Sequence, residues 1–144
     1  MLWGAGERVV THERQKMMIE RMKRSGNSTI LVADNESDEL VGYLFAIGGD
    51  AKRNKHSAYI VVGISKDYRG QGVGSKLFQA LEQWAIHHGI HRLELTVVTR
   101  NEAGLSLYKK MGFEIEGTKR NSLYIADEFV DEYYMSKLIS PKVL

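Results

Sequence analysis

The feature that most constrains this chain is a predicted strand that runs through a glycine-rich loop into an amphipathic helix. The strand is AYIVVGIS at residues 58–65, and the loop and helix are RGQGVGSKLFQALEQWA from Arg69 onwards. Apolar side chains recur at helical spacing from Leu77, and Gly89 is expected to end the helix. Such a unit leaves the first amides of the helix beside the end of the strand, where a ligand can approach them.

The glycine-rich loop is expected to hold an anion, because the first amides of a helix are unpaired and carry a partial positive charge. Arg69 and Lys76 add full positive charges nearby. The P-loop pattern and the dinucleotide-binding pattern both fail when counted from Gly70, because each needs a glycine where Ser75 stands. A nucleotide-dependent oxidoreductase is therefore disfavoured, while a phosphate-bearing ligand and a ligand-free turn both stay open.

The rest of the chain alternates segments of strand and helix character. Further strands are predicted at residues 29–33, 40–49 and 91–98, helices from Thr11 to about 24 and from Glu102 to Met111, and a tail of two strands around the turn Ala126-Asp127-Glu128. Strands with helices crossing between them predict an α/β fold with a mixed sheet. The 144 residues are expected to form a single domain.

Composition excludes several classes of protein. The chain has no cysteine, so it has no disulfide, no thiolate nucleophile and no cysteine-based metal site. No apolar run is long enough for a membrane span, and the start MLWGAGERVV lacks the basic lead and apolar run of a signal peptide. A net charge of +2 is too small to indicate nucleic-acid binding. A cytoplasmic location is expected, with no membrane and no nucleic-acid partner.

A second motif follows the glycine-rich loop by about thirty residues, NEAGLSLYKKMGF. Asn101 and Tyr108 are seven positions apart, nearly two helical turns, so they are expected on one helix face. Gly104 near that face leaves room for a close approach. Taken alone, Asn101 could be a helix cap and Tyr108 a half-buried aromatic residue, and both readings stay open.

Together the two motifs resemble the GCN5-related N-acetyltransferase (GNAT) family over about residues 11–138. Arg69, Gly72 and Gly74 fill the positions of the family's loop signature, and Gly104 stands where alanine is more usual. The resemblance implies an α+β fold whose mostly antiparallel, twisted sheet has a V-shaped splay between its central strands and is flanked by helices. Only ten residues precede Thr11, so the family's first strand and helix are expected to be missing. Either the chain starts late, or a partner chain covers the exposed sheet edge, which would favour a homodimer.

The resemblance also implies how acetyl-CoA is bound. Backbone groups near Val62 and Ile64 would pair with the pantetheine arm, the loop amides would hold the pyrophosphate, and Asn101 would contact the arm from the other side. Tyr108 would protonate the leaving thiolate, which makes it the one predicted catalytic residue. The implied cofactor-binding residues are Val62, Ile64, Arg69, Gly70, Gln71, Gly72, Val73, Gly74, Ser75, Asn101 and Tyr108.

The implied activity is transfer of an acetyl group to a primary amine of a polyamine, an amino acid or a protein N-terminus. Direct attack in a ternary complex is expected, because a cysteinyl intermediate is impossible without cysteine. The base that deprotonates the amine stays open among Glu94, Glu132 and His56. The alternative function is a module that binds acyl-CoA without turnover.

No metal is expected. His87 and His91 are four residues apart, which suggests a metal pair, but Gly89 interrupts the helix between them and no acidic partner is near.

Overall fold

The computed structural model describes residues 26–140, and these form one mixed sheet with two α-helices. The strands are β1 Thr29–Asp34, β2 Leu40–Gly48, β3 Ser57–Ile64, β4 Arg92–Val98, β5 Glu114–Ile125 and β6 Glu128–Leu138; the helices are α1 Val73–His87 and α2 Glu102–Lys110. A short 3₁₀ turn, Lys66–Tyr68, links β3 to the glycine-rich loop. The elements predicted within this range are confirmed, and the helix predicted from Thr11 lies outside the described residues.

The six strands lie in the order β1-β2-β3-β4-β6-β5. Every neighbouring pair is antiparallel except β3 and β4, which are parallel. The parallel pair arises because α1 carries the chain back across the sheet between them. The predicted mixed, mostly antiparallel sheet is therefore confirmed.

The parallel pairing of β3 with β4 is short. It covers only three residue pairs, from Ser57 with Arg92 to Tyr59 with Glu94. Both strands continue beyond these pairs, β3 to Ile64 and β4 to Val98. The two central strands thus diverge from Tyr59 and Glu94 onwards, which confirms the predicted V-shaped splay.

The hydrophobic core lies between the sheet and both described helices. From α1, Leu77, Phe78, Leu81 and Ala85 are buried against inward-facing residues of the sheet. The α2 residues Leu105, Leu107 and Tyr108 pack against the same cluster. Both helices therefore cover one face of the sheet.

The turn between β5 and β6 follows from two residues with positive φ. Ala126 has φ 51° and Asp127 has φ 62°. They separate the paired residues Ile125 and Glu128, which is the geometry of a two-residue hairpin whose twist matches that of the strands. The turn predicted at this point is confirmed.

Between residues 26 and 140, neither helix has the length and apolar character needed to cross a bilayer.

Candidate functional site

The splay leaves backbone groups of β3 facing an open gap. The Ser65 amide donates to the Val41 carbonyl at 2.8 Å, and the Gly49 amide donates to the Ser57 carbonyl at 3.0 Å. These two bonds set the phase of the β2–β3 ladder, because hydrogen-bonded pairs recur at every second residue. Odd-numbered β3 residues therefore bond to β2, and the amides and carbonyls of Val62 and Ile64 point toward the gap.

The opposite wall of the gap is β4, and the same argument applies to it. The Thr99 amide donates to the Asp131 carbonyl at 3.0 Å and the Ile139 amide to the His91 carbonyl at 2.7 Å. Odd-numbered β4 residues thus bond to β6, so the backbone of Thr96 and Val98 faces β3. Polar backbone on both walls makes the gap suited to an extended ligand that carries its own amide groups.

The glycine-rich loop lies beyond the end of β3 and opens α1. Gly70 has φ 77° and Gly72, the N-cap of α1, has φ 85°. A side chain rarely adopts this backbone conformation, which explains glycine at both positions. The first helical hydrogen bond runs from the Lys76 amide to the Gly72 carbonyl, so the amides from Val73 to Ser75 have no helical partner.

The charge around this loop suits an anion. The first turn of α1 contains no acidic residue. Arg69 and Lys76 are both exposed beside it, and Arg69 Nε approaches the Ile64 carbonyl at 3.4 Å. Unpaired amides, the positive end of the helix and two exposed cations together suit a phosphate group. These residues fit the diphosphate end of coenzyme A.

Gly74 has a different role from the other loop glycines. A Cβ at this position would lie 2.7 Å from Leu107 Cδ2 and 3.0 Å from Ile64 Cδ1. The absence of a side chain therefore lets α1 approach both α2 and the end of β3. Gly74 thereby allows the close packing that places the glycine-rich loop at the end of β3.

Asn101 forms the N-cap of α2. Its Oδ1 accepts a hydrogen bond from the Gly104 amide at 3.0 Å. A Cβ on Gly104 would lie 2.7 Å from Asn101 Nδ2, so glycine at 104 makes room for this cap. The capping alternative raised by the sequence is thus realised through Oδ1, and the Nδ2 group, which carries two donors, takes no part in the cap.

Substitution of Asn101 can separate its two roles. Asn101→Asp keeps a capping oxygen but loses the Nδ2 donor, whereas Asn101→Ala loses both. We expect Asn101→Ala to lower the free energy of unfolding by about 1 kcal/mol and Asn101→Asp to change it little, as measured by denaturant titration. If Nδ2 contacts the cofactor, both variants raise the dissociation constant of acetyl-CoA in calorimetry. An unchanged acetyl-CoA dissociation constant for Asn101→Asp would show that Asn101 acts only as a helix cap.

Tyr108 lies on α2 within an aromatic cluster. Its ring is 5.7 Å from that of Phe78 and 6.3 Å from that of Phe113. Burial raises the pKa of the Tyr108 phenol above its usual value, and the nearby Tyr59 phenol adds to the rise. Tyr108 therefore stays protonated at neutral pH and has a proton to donate.

The three predicted bases lie in different places. His56 is exposed before β3, and its carbonyl accepts from the amides of His91 and Arg92, so it stands at the closed end of the splay. Glu94 Oε2 accepts from Arg92 at 3.1 Å. Glu132 is 2% exposed, accepts from Ser122 Oγ at 2.9 Å and pairs with Val98 at the open end.

The candidate metal pair is not assembled. His87 lies in the last turn of α1 with Nδ1 2.6 Å from the Gln83 carbonyl, and His91 follows Gly89, whose φ is 70°. The His91 ring instead lies 6.3 Å from the His56 ring. Among residues 26–140, no three histidine, aspartate or glutamate side chains converge as metal ligands.

Tyr59 and Thr96, which belong to neither sequence motif, lie at the vertex of the splay, where β3 and β4 begin to diverge. The Tyr59 hydroxyl and Thr96 Oγ1 are hydrogen-bonded at 2.9 Å. Tyr59 ends the paired part of β3, and Thr96 lies just past the paired part of β4. Strand alternation could have placed each side chain on a face, but only the pairing of β3 with β4 brings them together.

Comparison with known proteins gives consistent results. A family model described as the acetyltransferase (GNAT) family matches residues 2–113. The L-amino acid N-acetyltransferase AaaT of Escherichia coli strain K12 is 32% identical over 133 residues, which cover 90% of this chain and 80% of that protein.

Solved structures agree with the sequence comparisons. An acetyltransferase of the GNAT family from Streptococcus pneumoniae superposes with a TM-score of 0.85 at 35% identity, covering 92% of this chain and 78% of that one. The acetyltransferase yncA from Salmonella typhimurium, solved with its cofactor acetyl-CoA, superposes with a TM-score of 0.84 at 19% identity, covering 96% and 79%. The latter likeness concerns the fold.

Proposed function

This chain belongs to the acetyltransferase (GNAT) family and is an N-acetyltransferase, and from that premise we propose that it acetylates the primary amine of an amino acid. The observation that carries the proposal is the gap between β3 and β4. Backbone groups of Val62 and Ile64 that do not bond to β2 face it from one side, and α2 brings the protonated phenol of Tyr108 into the adjoining core.

Acetyl-CoA supplies the activated acetyl group, and this chain holds it at three points. The amides from Val73 to Ser75, with Arg69 and Lys76, bind the diphosphate. The backbone of Val62 and Ile64 pairs with the pantetheine arm as an added strand would. An amide in this stretch also donates to the thioester carbonyl oxygen, where negative charge develops during attack.

Tyr108 donates its proton to the sulfur as the carbon–sulfur bond breaks, and the proton that the nitrogen loses on becoming an amide restores the phenol through solvent. A thiol has a pKa near ~8.5, far below that of a tyrosine, so the thiolate leaves readily and the phenol assists by hydrogen bonding and proton transfer. The raised pKa of Tyr108 keeps this proton in place before the reaction. The amine attacks the acetyl carbon directly, because the chain has no cysteine to form a thioester of its own.

Deprotonation of the amine requires a proton acceptor beside the gap. An aliphatic amine has a pKa near ~10, so it arrives mostly as the ammonium ion. Glu94 is held by Arg92 and His56 lies at the closed end, whereas Glu132 stands in register with Val98. Glu132 is the proposed acceptor, and because its carboxylate is buried and accepts from Ser122, it acts through a water molecule.

An amino acid is favoured over a polyamine or a protein N-terminus because AaaT, the relative similar over 90% of this chain, is an L-amino acid N-acetyltransferase. The similarity spans both motifs and the strands that form the gap.

The experiment that tests the proposal incubates the protein with acetyl-CoA and a panel of amines, and measures CoA release with a thiol reagent. The panel contains the standard L-amino acids, spermidine and a short peptide with a free N-terminus. We expect release above the amine-free rate with one or more amino acids. Release with spermidine or the peptide alone would overturn the amino-acid assignment. Thermal stabilisation by acetyl-CoA without release for any amine would support the alternative, a binding module.

A further inference from the structure

The two faces of the sheet differ in the access that they give an acceptor to the gap. On one face, α1 and α2 bury Phe78, Tyr108 and Phe113 against the sheet, with ring centroids 5.6–6.3 Å apart. This face of the gap is filled by core side chains and by Tyr108, the proposed proton donor to the leaving thiolate. An acceptor must therefore reach the thioester from the opposite face.

That opposite face carries a pair of hydroxyl groups at the vertex of the splay. Tyr59 and Thr96 reach toward each other from the two strands that diverge there, with their oxygens 2.9 Å apart. Both side chains are only partly buried. Burial and, to a smaller extent, the Tyr59 phenol raise the pKa of Tyr108.

We propose that the hydroxyl pair Tyr59–Thr96 binds the attacking amine and orients its lone pair toward the acetyl carbon. This inference rests on the proposed function. In the pair, one hydroxyl donates to the other, and lone pairs remain on both oxygens. The N–H groups of the amine donate to these oxygens, so its lone pair is directed away from them and toward the gap. The pair thereby fixes the attack geometry on the side opposite Tyr108.

The charge beside the pair suits a cationic amine. Arg92 bridges Glu94 and Glu116, and this cluster contains two carboxylates and one guanidinium. Glu94 is in register with Tyr59, so the excess negative charge adjoins the hydroxyl pair. Hydrogen bonding to Arg92 lowers the pKa of Glu116, which keeps that carboxylate ionised. An ammonium group is thus attracted to the face from which it must attack.

The test compares Tyr59→Phe, Thr96→Val and Thr96→Ser with the wild type, using the acceptor identified by the amine panel. We expect Tyr59→Phe and Thr96→Val to lower kcat/KM for the amine about tenfold or more, the loss of an oriented hydrogen bond. The dissociation constant of acetyl-CoA should stay within about twofold. Thr96→Ser keeps the hydroxyl and should retain most activity. Because both single variants break the same interaction, the double variant should be little worse than either.

The matched control is Tyr124→Phe, the same chemical change on an exposed side chain of β5, which should leave all constants unchanged. The inference would be overturned if kcat/KM for the amine were unchanged in Tyr59→Phe or Thr96→Val. It would also be overturned if the dissociation constant of acetyl-CoA rose as much as kcat/KM fell, or if Thr96→Ser and Thr96→Val lost equal activity. If Tyr59→Phe does not fold, the two Thr96 variants decide. A wild type without amine turnover would overturn the proposed function together with this inference, whereas unchanged variants of an active wild type overturn this inference alone.

Discussion

Tyr108→Phe is expected to lower kcat about 100-fold, within the range that a general acid contributes, while acetyl-CoA binds within about threefold of the wild type. The substitution removes one oxygen and keeps the ring that packs against Phe78 and Phe113. The aromatic cluster is therefore preserved, and what is lost is the proton donor to the leaving sulfur. Steady-state CoA release gives kcat, and calorimetry gives the dissociation constant.

The pH profile adds a second readout for Tyr108. Burial raises its pKa above the usual value of a phenol, about 10, so the required proton is present at neutral pH and is lost only when the pH rises above 10. Tyr108 should therefore impose no loss of wild-type activity between pH 7 and 9. A decline in kcat in that range that is absent in Tyr108→Phe would contradict this protonation state.

The control for Tyr108→Phe is again Tyr124→Phe, which should retain wild-type kcat. An unchanged kcat in Tyr108→Phe would show that the thiolate leaves without this donor. A large loss of acetyl-CoA affinity with unchanged kcat would reassign Tyr108 as a cofactor-binding residue.

Gly74→Ala is expected to lower the free energy of unfolding by about 1–3 kcal/mol, as overpacking of a filled site does, and to weaken acetyl-CoA binding about tenfold. The new methyl group would overlap Leu107 Cδ2 and press on Ile64 Cδ1. The atoms that the methyl group meets are side-chain ends, so Leu107 and Ile64 relieve part of the overlap and a shift of α1 away from β3 and α2 relieves the rest. That movement carries the amides from Val73 to Ser75 away from the end of the gap. The loop and β3 then bind the diphosphate and the pantetheine arm less well at the same time.

Gly117→Ala is the matched control for Gly74→Ala, because a Cβ on Gly117 meets no atom within 4 Å. It should leave the midpoint of thermal unfolding and the acetyl-CoA dissociation constant close to wild type. Combining Gly74→Ala with Leu107→Ala removes the overlapping side chain, so the double variant should lose less than the sum of the two single losses. Additive losses, or wild-type affinity in Gly74→Ala, would show that this contact does not position the loop.

The loop glycines show how much of the site the sequence predicts. Their spacing, together with the second motif, is enough to indicate a phosphate-binding loop. It does not separate Gly70 and Gly72, which are required by positive φ, from Gly74, which is required by contact with Leu107 and Ile64. The first requirement is local to the backbone, whereas the second depends on a helix about thirty residues away.

Asn101 shows the opposite case. A cap and a cofactor ligand were both open from the sequence, and the contact that decides for the cap lies within three residues. The role toward the cofactor stays a prediction, as do the roles of the other implied cofactor-binding residues and the homodimer.

By itself, the sequence determined the order of strands and helices, the turn at Ala126 and Asp127, and the glycine-rich loop at the N-terminus of α1. These features depend on side-chain periodicity and on the φ angles that single residues adopt, which are local properties. Only the tertiary structure decided where β3 and β4 part, which backbone amides face the gap, and that Tyr59 meets Thr96. Strand alternation assigns side chains to faces, but the phase of the hydrogen bonds and the length of a parallel pairing depend on partners distant in the chain.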